Sequence, residues 1–394
     1  MKLLIYTHVF APLTGGVERY VMLLAQGLVR GSTGDGREPF EVTVATSTPA
    51  GDSGEALPFP VVRQPTLREL LRLLREADVV HLAGPSFLPM LLGWMLRKPV
   101  VVEHSGYQAI CPNGLLVYEP TRAVCPGHFM ARNYSECLRC NSATLGWRGS
   151  LRLLLLTFPR RWLCSRAARN VGPSKHVGNR LGLPQTVTIL HGIEPTSNAR
   201  RSTRADAPRP PGFVYVGRLV KEKAVDVLLR AAEELAGRGY DFCLKIIGDG
   251  PERARLEEMA KRCGLRGRVI FTGFLHGDDL SAALRSADVA VMPSVWEDVA
   301  PLSALEQMMQ GRPLVASDIG GLGEFVGDAG LKFPPGDWAA LAECLRRMLD
   351  DPSLIQEVGR KARERAMRLF TQDQMVREHV KVYQEVARKS EALP

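Results

Sequence analysis

The stretch ADVAVMPSVWEDVAPLSALEQMMQGRPLVA, residues 287–316, decides the fold. It opens with the apolar run Ala287–Met292, passes an acidic loop at Trp296-Glu297-Asp298, and closes on a second apolar run at Pro313–Ala316. That order predicts a strand, a loop, a helix and another strand. Proline favours the first position of a helix, so the helix starts near Pro301. Asp298 then falls just before the first turn and Glu306 within it. A helix N-terminus attracts anions, and carboxylates accept hydrogen bonds from hydroxyls. Together they suit a ligand carrying both sugar and phosphate, such as a nucleotide sugar.

The same alternation runs outward in both directions. Strands are expected at Leu3–Thr7, Val42–Ala45, Val79–Leu82, Val100–Glu103 and Val187–Leu190, with a helix over Val17–Leu28, where Val17, Val21, Leu24 and Leu28 repeat at helical spacing. The polar, proline-ending segment Arg200–Pro211 reads as a linker. Beyond it the pattern restarts. Phe213–Val216 is followed by a helix over Ala224–Ala236, Phe242–Ile247 by a helix over Glu252–Cys263, and then come strands at Val269–Phe271, Val289–Met292 and Leu314–Ala316. From about Ala339 the chain reads as helical, with a break at Asp351-Pro352 and a last helix over Gln374–Lys389.

Repeated βα units imply parallel sheets with right-handed crossovers. The expected fold class is therefore α/β, with two doubly wound Rossmann-like domains facing a cleft. The expected domains are residues 1–195 on the acceptor side, a linker at 196–211, a donor domain at 212–370, and a helix at 371–394 packing back on the first domain. Ligands of such sheets lie at the carboxyl ends of the strands.

The chain has 394 residues, 45% of them hydrophobic and 24% charged, an ordinary globular balance. The longest apolar run, Phe87–Leu96, falls short of a membrane span and ends in Arg97-Lys98. The N-terminus reads as a first strand rather than a signal peptide, and eight cysteines do not make a disulfide scaffold in so long a chain. A cytoplasmic protein is expected. Residues 1–211 carry 25 Lys+Arg against 14 Asp+Glu, which is +11, and residues 212–394 carry 26 against 28, which is −2. The excess fits ordinary solvated faces, and it also fits a first half that meets an anionic acceptor or membrane surface. The segment RLLLLTFPRRW, residues 152–162, mixes leucines, aromatics and arginines as an interfacial helix does, and also as a buried helix edged by arginines would. No basic stripe with interleaved aromatics points to nucleic acid.

Two loops could hold phosphate. Ala11–Glu18 places Gly15-Gly16 between the first strand and its helix, where the backbone can approach a ligand. Val216–Ala224 places Arg218 and Lys223 after the first strand of the second half, where a fork and a point charge can neutralise a pyrophosphate. Neither the first loop nor Ile247–Glu252 has the full G-x-G-x-x-G order, which weighs against a dinucleotide oxidoreductase.

These residues resemble the retaining glycosyltransferases of family 4, also called group 1, which have the GT-B fold. The resemblance covers VGRLVKEKAVDVLL, KIIGDGPER, VIFTGFL and the long stretch from LRSADVAVMPS to DIGGLGE in the second half. In the first half it covers TGGVERYVMLLAQGL, VVVEHSG around His104, and HGIE around His191. It implies that Arg218 and Lys223 bind the donor phosphates with help from Gly15 and Gly16. It further implies that Glu306 binds the ribose, that Asp298, Val299 and Ala300 contact the donor sugar, and that His104 sits by the reacting centre. The leaving phosphate would help deprotonate the acceptor hydroxyl, so no cofactor is required. The chain departs from the pattern at Asp298, where glutamate is usual, at Ala224, where glycine is usual, and at His191, where asparagine is usual. Glu297, one position off, is the alternative sugar contact.

Cys111, Cys125, Cys137 and Cys140 fall in a Gly/Pro/Asn-rich insert at about 105–147. The C-x2-C pair suits a structural zinc, and four reduced thiols in an irregular loop fit equally. The expected partners are a nucleoside-diphosphate sugar and a sugar or lipid-linked acceptor in polysaccharide, lipopolysaccharide or glycolipid assembly. A nucleotide-sugar epimerase and a non-catalytic binding module are the competing readings.

Overall fold

The protein is described by a computed structural model that covers residues 1–13, 15–31, 40–51, 56–195 and 211–391. Thr14 and all of the expected linker except Pro211 lie outside the described residues. The chain divides into two compact units, Met1–Glu194 with Leu369–Pro394, and Pro195–Arg368.

Unit 1 begins with β1 (Lys2–Thr7), α1 (Gly16–Arg30), β2 (Glu41–Thr46), β3 (Val61–Arg63), α2 (Leu67–Glu76), β4 (Val79–Leu82), α3 (Phe87–Met95) and β5 (Val100–Glu103). A short hairpin, β6 (Val117–Tyr118) and β7 (Ala123–Val124), precedes the long α4 (Tyr134–Ser165), which is broken by a kink at Gly146. Then come β8 (Arg169–Gly172), α5 (Lys175–Leu181) and β9 (Thr186–Thr188). Seven parallel strands form one sheet in the order β3-β2-β1-β4-β5-β8-β9. The strands β4 and β5 are wholly buried, because helices cover both faces of such a sheet. Local signals set the helix starts: Thr66 and Glu69 form a reciprocal capping box on α2, and the Ser174 hydroxyl accepts from Val177 N–H on α5.

Unit 2 runs β10 (Gly212–Val216), a 3-10 turn (Lys221–Lys223), α6 (Val225–Gly237), β11 (Cys243–Ile247), α7 (Arg253–Arg262), β12 (Val269–Gly273) and α8 (Gly277–Arg285). It continues with β13 (Val289–Met292), α9 (Leu302–Met309), β14 (Leu314–Ser317), α10 (Gly320–Val326), β15 (Leu331–Phe333), α11 (Trp338–Asp350) and α12 (Pro352–Leu369). Its six parallel strands are ordered β12-β11-β10-β13-β14-β15. Phe213, Tyr215, Leu228, Leu244, Val289 and Leu345 are among the residues of its core, which lies between the sheet and α6, α7 and α11.

The last helix, α13 (Gln372–Glu391), belongs to unit 1, where it packs on α1 and β4. The Gln372 amide donates to Leu23 O at 2.6 Å, and Ile193 N–H donates to Phe370 O at 2.9 Å. A Cβ on Gly27 would stand 2.5 Å from Val376 Cγ2, so glycine permits the close approach of α1 to α13.

Three expectations change. The insert is not loop throughout: α4 starts at Tyr134, so Cys137 and Cys140 are helical. The strand expected at Val187–Leu190 is shorter and starts earlier, at Thr186–Thr188. The three-residue strands β3 and β15 are too short to show a period-2 pattern, and β8, Arg-Asn-Val-Gly, has no apolar run, so the sequence does not announce them.

Candidate active site

In each unit the strand order reverses beside the first strand, and loops diverge there to leave room for a ligand. In unit 2 that point lies between β10 and β13. The loop after β10 carries Arg218 and Lys223, and the loop after β13 carries Ser294 through Ala300. The topology therefore brings together residues 75 positions apart. Lys223 Nζ forms an ion pair with Asp298 Oδ2 and lies 5.3 Å from the centre of the Trp296 ring. The Ser294 hydroxyl donates to the same Asp298 oxygen at 3.2 Å. Val295 N–H donates to Glu222 O at 3.0 Å, tying the two loops through backbone. Arg218 is different. Its side chain is 68% exposed, and its nearest carboxylate, Glu222, is 4.0 Å away.

The backbone under these side chains is shaped by glycine. Gly320 has φ of +57°, and a Cβ there would stand 2.6 Å from Glu297 Cα. A Cβ on Gly321 would stand 2.4 Å from Val299 O, and Gly321 N–H donates to Asp298 O at 2.8 Å. The glycine pair after β14 thus seats the acidic loop. Gly248 and Gly250 do the same for the loop after β10, since a Cβ would meet Gly217 O at 1.9 Å and Leu219 O at 2.4 Å. That is the work of the Ile247–Glu252 glycines, which lack the full dinucleotide-binding order. Ala224, where the family has glycine, adopts the left-handed φ of +48° that explains the family's preference.

The remaining residues expected to meet a donor fall as follows. Asp298, Glu297 and Val299 are buried, and Ala300 and Glu306 are half-buried. Pro301 is the N-cap of α9 and offers no side-chain bond to the first amides of that helix, and Glu306 lies inside it. Sequence reasoning missed Ser294, Glu222, Trp296, Gly320 and Gly321. Only the Gly-Gly pair carried a signal, a dipeptide directly after a strand.

In unit 1, Gly15 caps the N-terminus of α1 in extended conformation without a side-chain bond, and Gly16 has open space where a Cβ would stand. His104 follows β5 and is fully buried. The Asn170 amide nitrogen donates to Cys164 O and Pro184 O, each at 2.9 Å. Its oxygen therefore accepts from His104 Nε2, also at 2.9 Å. This fixes the proton on Nε2 and leaves a lone pair on His104 Nδ1, which has no hydrogen-bond partner. Burial lowers the pKa of His104, against the opposing pull of the Asn170 bond and Glu103, so the ring is neutral near pH 7. The reacting-centre role implied for His104 would run through that lone pair.

Glu103, one residue earlier, anchors a buried network. It accepts from His191 Nε2 at 3.0 Å and lies 3.5 Å from His379 Nε2 on α13. Burial alone would raise its pKa, but the bond from His191 and the proximity of His379 outweigh that and hold it at about 2. Tyr20 stacks on His191 at 4.2 Å and reaches His379 Nε2 at 3.0 Å, while Tyr383 reaches His81 Nδ1 at 3.0 Å. Histidine at 191 is thus a buried partner of Glu103.

The four cysteines of the insert are all buried and reduced. Cys137 lies within electrostatic reach of the other three thiols. Glu119 N–H donates to Cys140 Sγ at 3.4 Å, and Cys111 Sγ–H donates to Asn113 Oδ1 at 2.9 Å. Among the described residues no group of three or more His, Cys, Asp or Glu is arranged to hold a metal ion. The zinc expectation stands without a formed site.

Comparison with known proteins agrees with this geometry. Residues 199–365 match the family model for glycosyl transferases group 1, and residues 14–196 match that for glycosyltransferase family 4. The alpha-D-kanosaminyltransferase of Streptomyces kanamyceticus is 33% identical over 304 residues, 75% of this chain and 74% of that relative. The 2-deoxystreptamine glucosyltransferase of the same organism is 39% identical, but the match spans 53% of this chain and only 58% of that relative's length. Among solved structures, sucrose-phosphate synthase from Thermosynechococcus elongatus aligns with a TM-score of 0.69 at 22% identity, over 99% of this chain and 100% of that one. Anabaena HepE in complex with UDP aligns with a TM-score of 0.69 at 18% identity, over 100% of both chains. The fold is that of the GT-B glycosyltransferases, and the chain belongs to the glycosyltransferases of group 1 and family 4.

Proposed function

We propose that the protein moves a sugar from a nucleoside-diphosphate sugar to an acceptor hydroxyl, with retention at the anomeric carbon and without a metal ion. The observation that carries this is the meeting of Lys223 with Asp298, beside Arg218, where β10 and β13 diverge. One loop offers cations to a diphosphate and the other a carboxylate to sugar hydroxyls. Fold neighbours in complex with UDP and with UDP-glucose support a nucleotide sugar as the donor. The acceptor is a sugar or a lipid-linked glycan of polysaccharide, lipopolysaccharide or glycolipid assembly.

In this reading the bond from the anomeric carbon to the diphosphate oxygen breaks as a bond to the acceptor oxygen forms on the same face. The acceptor's proton passes to the leaving phosphate. Arg218 and Lys223 oppose the charge that grows on the diphosphate, a contact stronger in the transition state than before it. Glu306 holds the ribose, Asp298 with Val299 and Ala300 orients the sugar, and Gly15 and Gly16 help bind the donor phosphates. His104 serves transfer by accepting a hydrogen bond at Nδ1.

The test is a panel of UDP, GDP, ADP and their sugars read by melting temperature, followed by transfer assays with chelator. A ligand at a hundred times its dissociation constant stabilises by about 2.7 kcal/mol. The expected product keeps the donor's anomeric configuration, and its rate is unchanged by chelator. Inverted product, or activity lost on chelation and restored by a divalent ion, would overturn the mechanism. Arg218→Ala and Lys223→Ala should each lower turnover as well as donor affinity, by roughly tenfold to a hundredfold. If both variants bind and turn over donor like the parent, this reading of the site is wrong.

A further inference from the structure

The large exposed apolar side chains of unit 1 gather on α3 and α4. They include Trp94 and Met95 on α3 and Trp147, Leu155, Phe158 and Trp162 on α4. A helix of a globular protein ordinarily turns its apolar stripe inward. Here Ser150 and Thr157 are among the residues turned in, while Leu155 and Trp162 face out, and Phe158 between them is 41% exposed with its ring packed on Phe129 and Tyr134. Arg148 and Arg152 precede that outer stripe, and Arg166 follows it, all exposed. The stripe from Arg148 to Arg166 runs about 27 Å at the helical rise. The two helices form one continuous face, because the rings of Trp94 and Trp162 meet edge to face at 5.2 Å.

The α4 side of this face carries charge of one sign. Between Glu136 and Glu194 the chain has no Asp or Glu and nine Lys or Arg. Beside the tryptophan pair opens a cavity of about 460 Å³, lined by Trp94, Arg97, Lys98, Arg166, Arg169 and Lys389 among others. Three of these cations are already engaged. Lys98 Nζ donates to Ala77 O at 2.8 Å, and Arg169 and Lys389 share the carboxylate of Glu385. Arg97 is exposed, and the Arg166 guanidinium lies 4.7 Å over the Trp162 ring. Those two stand beside the exposed rings. No helix of the described chain is long and apolar enough to cross a membrane.

We propose that the α3–α4 face seats on an anionic phospholipid surface, with α4 lying in the plane of the interface and the phosphates of headgroups held at the cavity by Arg97 and Arg166. Tryptophan rings favour the headgroup level, and basic residues near an anionic leaflet add attraction. Outward leucine and phenylalanine would be a liability in water and are an anchor at that depth. The cavity opens at the end of the sheet where β5 and β8 begin, since Val100 and Arg169 line it. His104 lies at the opposite end of β5, so lipid at the cavity leaves that end of the strand clear. The proposal does not depend on which sugar is transferred.

Sedimentation with vesicles tests it, comparing phosphatidylcholine alone with an equal mixture of phosphatidylcholine and phosphatidylglycerol. The protein should pellet with the mixed vesicles at low salt, stay soluble with phosphatidylcholine, and be released as salt rises. Trp94→Ala with Trp162→Ala, and separately Arg97→Glu with Arg166→Glu, should each weaken binding. The second pair should do so by about fivefold or more per arginine. Both pairs should keep the parent's nucleotide-induced melting shift, which reports folding and donor binding apart from lipid. Equal binding to both vesicle types, or parent-like binding by both double variants, overturns the proposal. So does a melting shift with inorganic phosphate alone, or self-association through this face, when no vesicle binding is seen.

Discussion

Lys223 and Asp298 neutralise each other across the point where β10 and β13 part, before any donor is present. Their side chains are only 18% and 8% exposed, and Ser294 supplies the carboxylate with a further donor. In the proposed reading, a diphosphate that drew on Lys223 would have to share it with Asp298, which would couple phosphate binding to the orientation of the carboxylate proposed to contact the sugar.

Removing one partner leaves the other poorly solvated. Lys223→Met and Asp298→Asn should each cost about 2–3 kcal/mol of stability in urea denaturation. The double variant should cost clearly less than the sum, with a coupling of at least about 1 kcal/mol. Strict additivity would show that the pair is not coupled in solution.

The acidic pair has a register that binding can check. Asp298→Ala should weaken nucleotide-sugar binding more than free-nucleotide binding, Asp298→Glu should keep activity, and Glu306→Ala should weaken both ligands. If Asp298→Ala is silent and Glu297→Ala is not, the sugar contact belongs to Glu297.

Gly321 is held to glycine by contact rather than by torsion. Gly321→Ala places a Cβ against Val299 O, where backbone cannot give way cheaply. The variant should lose roughly 1–3 kcal/mol of stability, as overpacking does. Its donor affinity should fall as well, because the displaced segment carries the residues proposed to contact the donor sugar. A parent-like melting temperature with parent-like affinity would contradict this.

At Ala224 the torsion itself is the constraint. A left-handed φ of +48° is tolerable for alanine, free for glycine and poor for a β-branched side chain. Ala224→Val should destabilise by about 2 kcal/mol or more, while Ala224→Gly should stay within about 1 kcal/mol of the parent. Equal effects in chemical denaturation would show that the left-handed turn is not kept in solution.

Unit 1 should weaken in mild acid. Burial, with the neighbouring His379 ring adding to it, lowers the pKa of His81 to about 3, and burial lowers that of His104. The unfolded chain takes up those protons near pH 6.5 while the folded one refuses them. The stability is thus fully present above pH 6.5 and declines as pH falls toward 3. Glu103, held at about 2, adds a loss that starts only near pH 4. The groups facing His81 are Tyr20, Tyr383, His379, His191 and Glu103. Denaturation midpoints at pH 7.5, 6.5, 5.5 and 4.5 should fall steadily. They should fall less steeply in His81→Gln, and identical slopes would exclude His81 as a source.

Much of the fold is written in local pattern. The strands at Val79–Leu82, Val100–Glu103 and Val289–Met292 match the sequence expectation residue for residue, because buried parallel strands are short apolar runs with polar ends. The pairing of Lys223 with Asp298 was less visible, since it depends on strand order, which no local pattern carries. Ser294, Glu222 and Trp296 were hidden for the same reason, each being ordinary in its own neighbourhood. The outward face of α4 was ambiguous because a leucine-rich segment with arginines reads alike whether its apolar side turns in or out. The Glu103 network was invisible, since His379 joins it from 276 positions away.

That last distance bears on how the molecule is made. Tyr20 and His81 leave a ribosome early, but His379 and Tyr383, their partners, are synthesised only after the whole of Pro195–Arg368. The nascent first unit must therefore wait with a buried glutamate lacking its His379 neighbour, and with one flank of α1 bare, while the second unit is translated and can already fold. The order of completion is the reverse of the order of synthesis, and the closing step for the first-made unit is the arrival of the last helix.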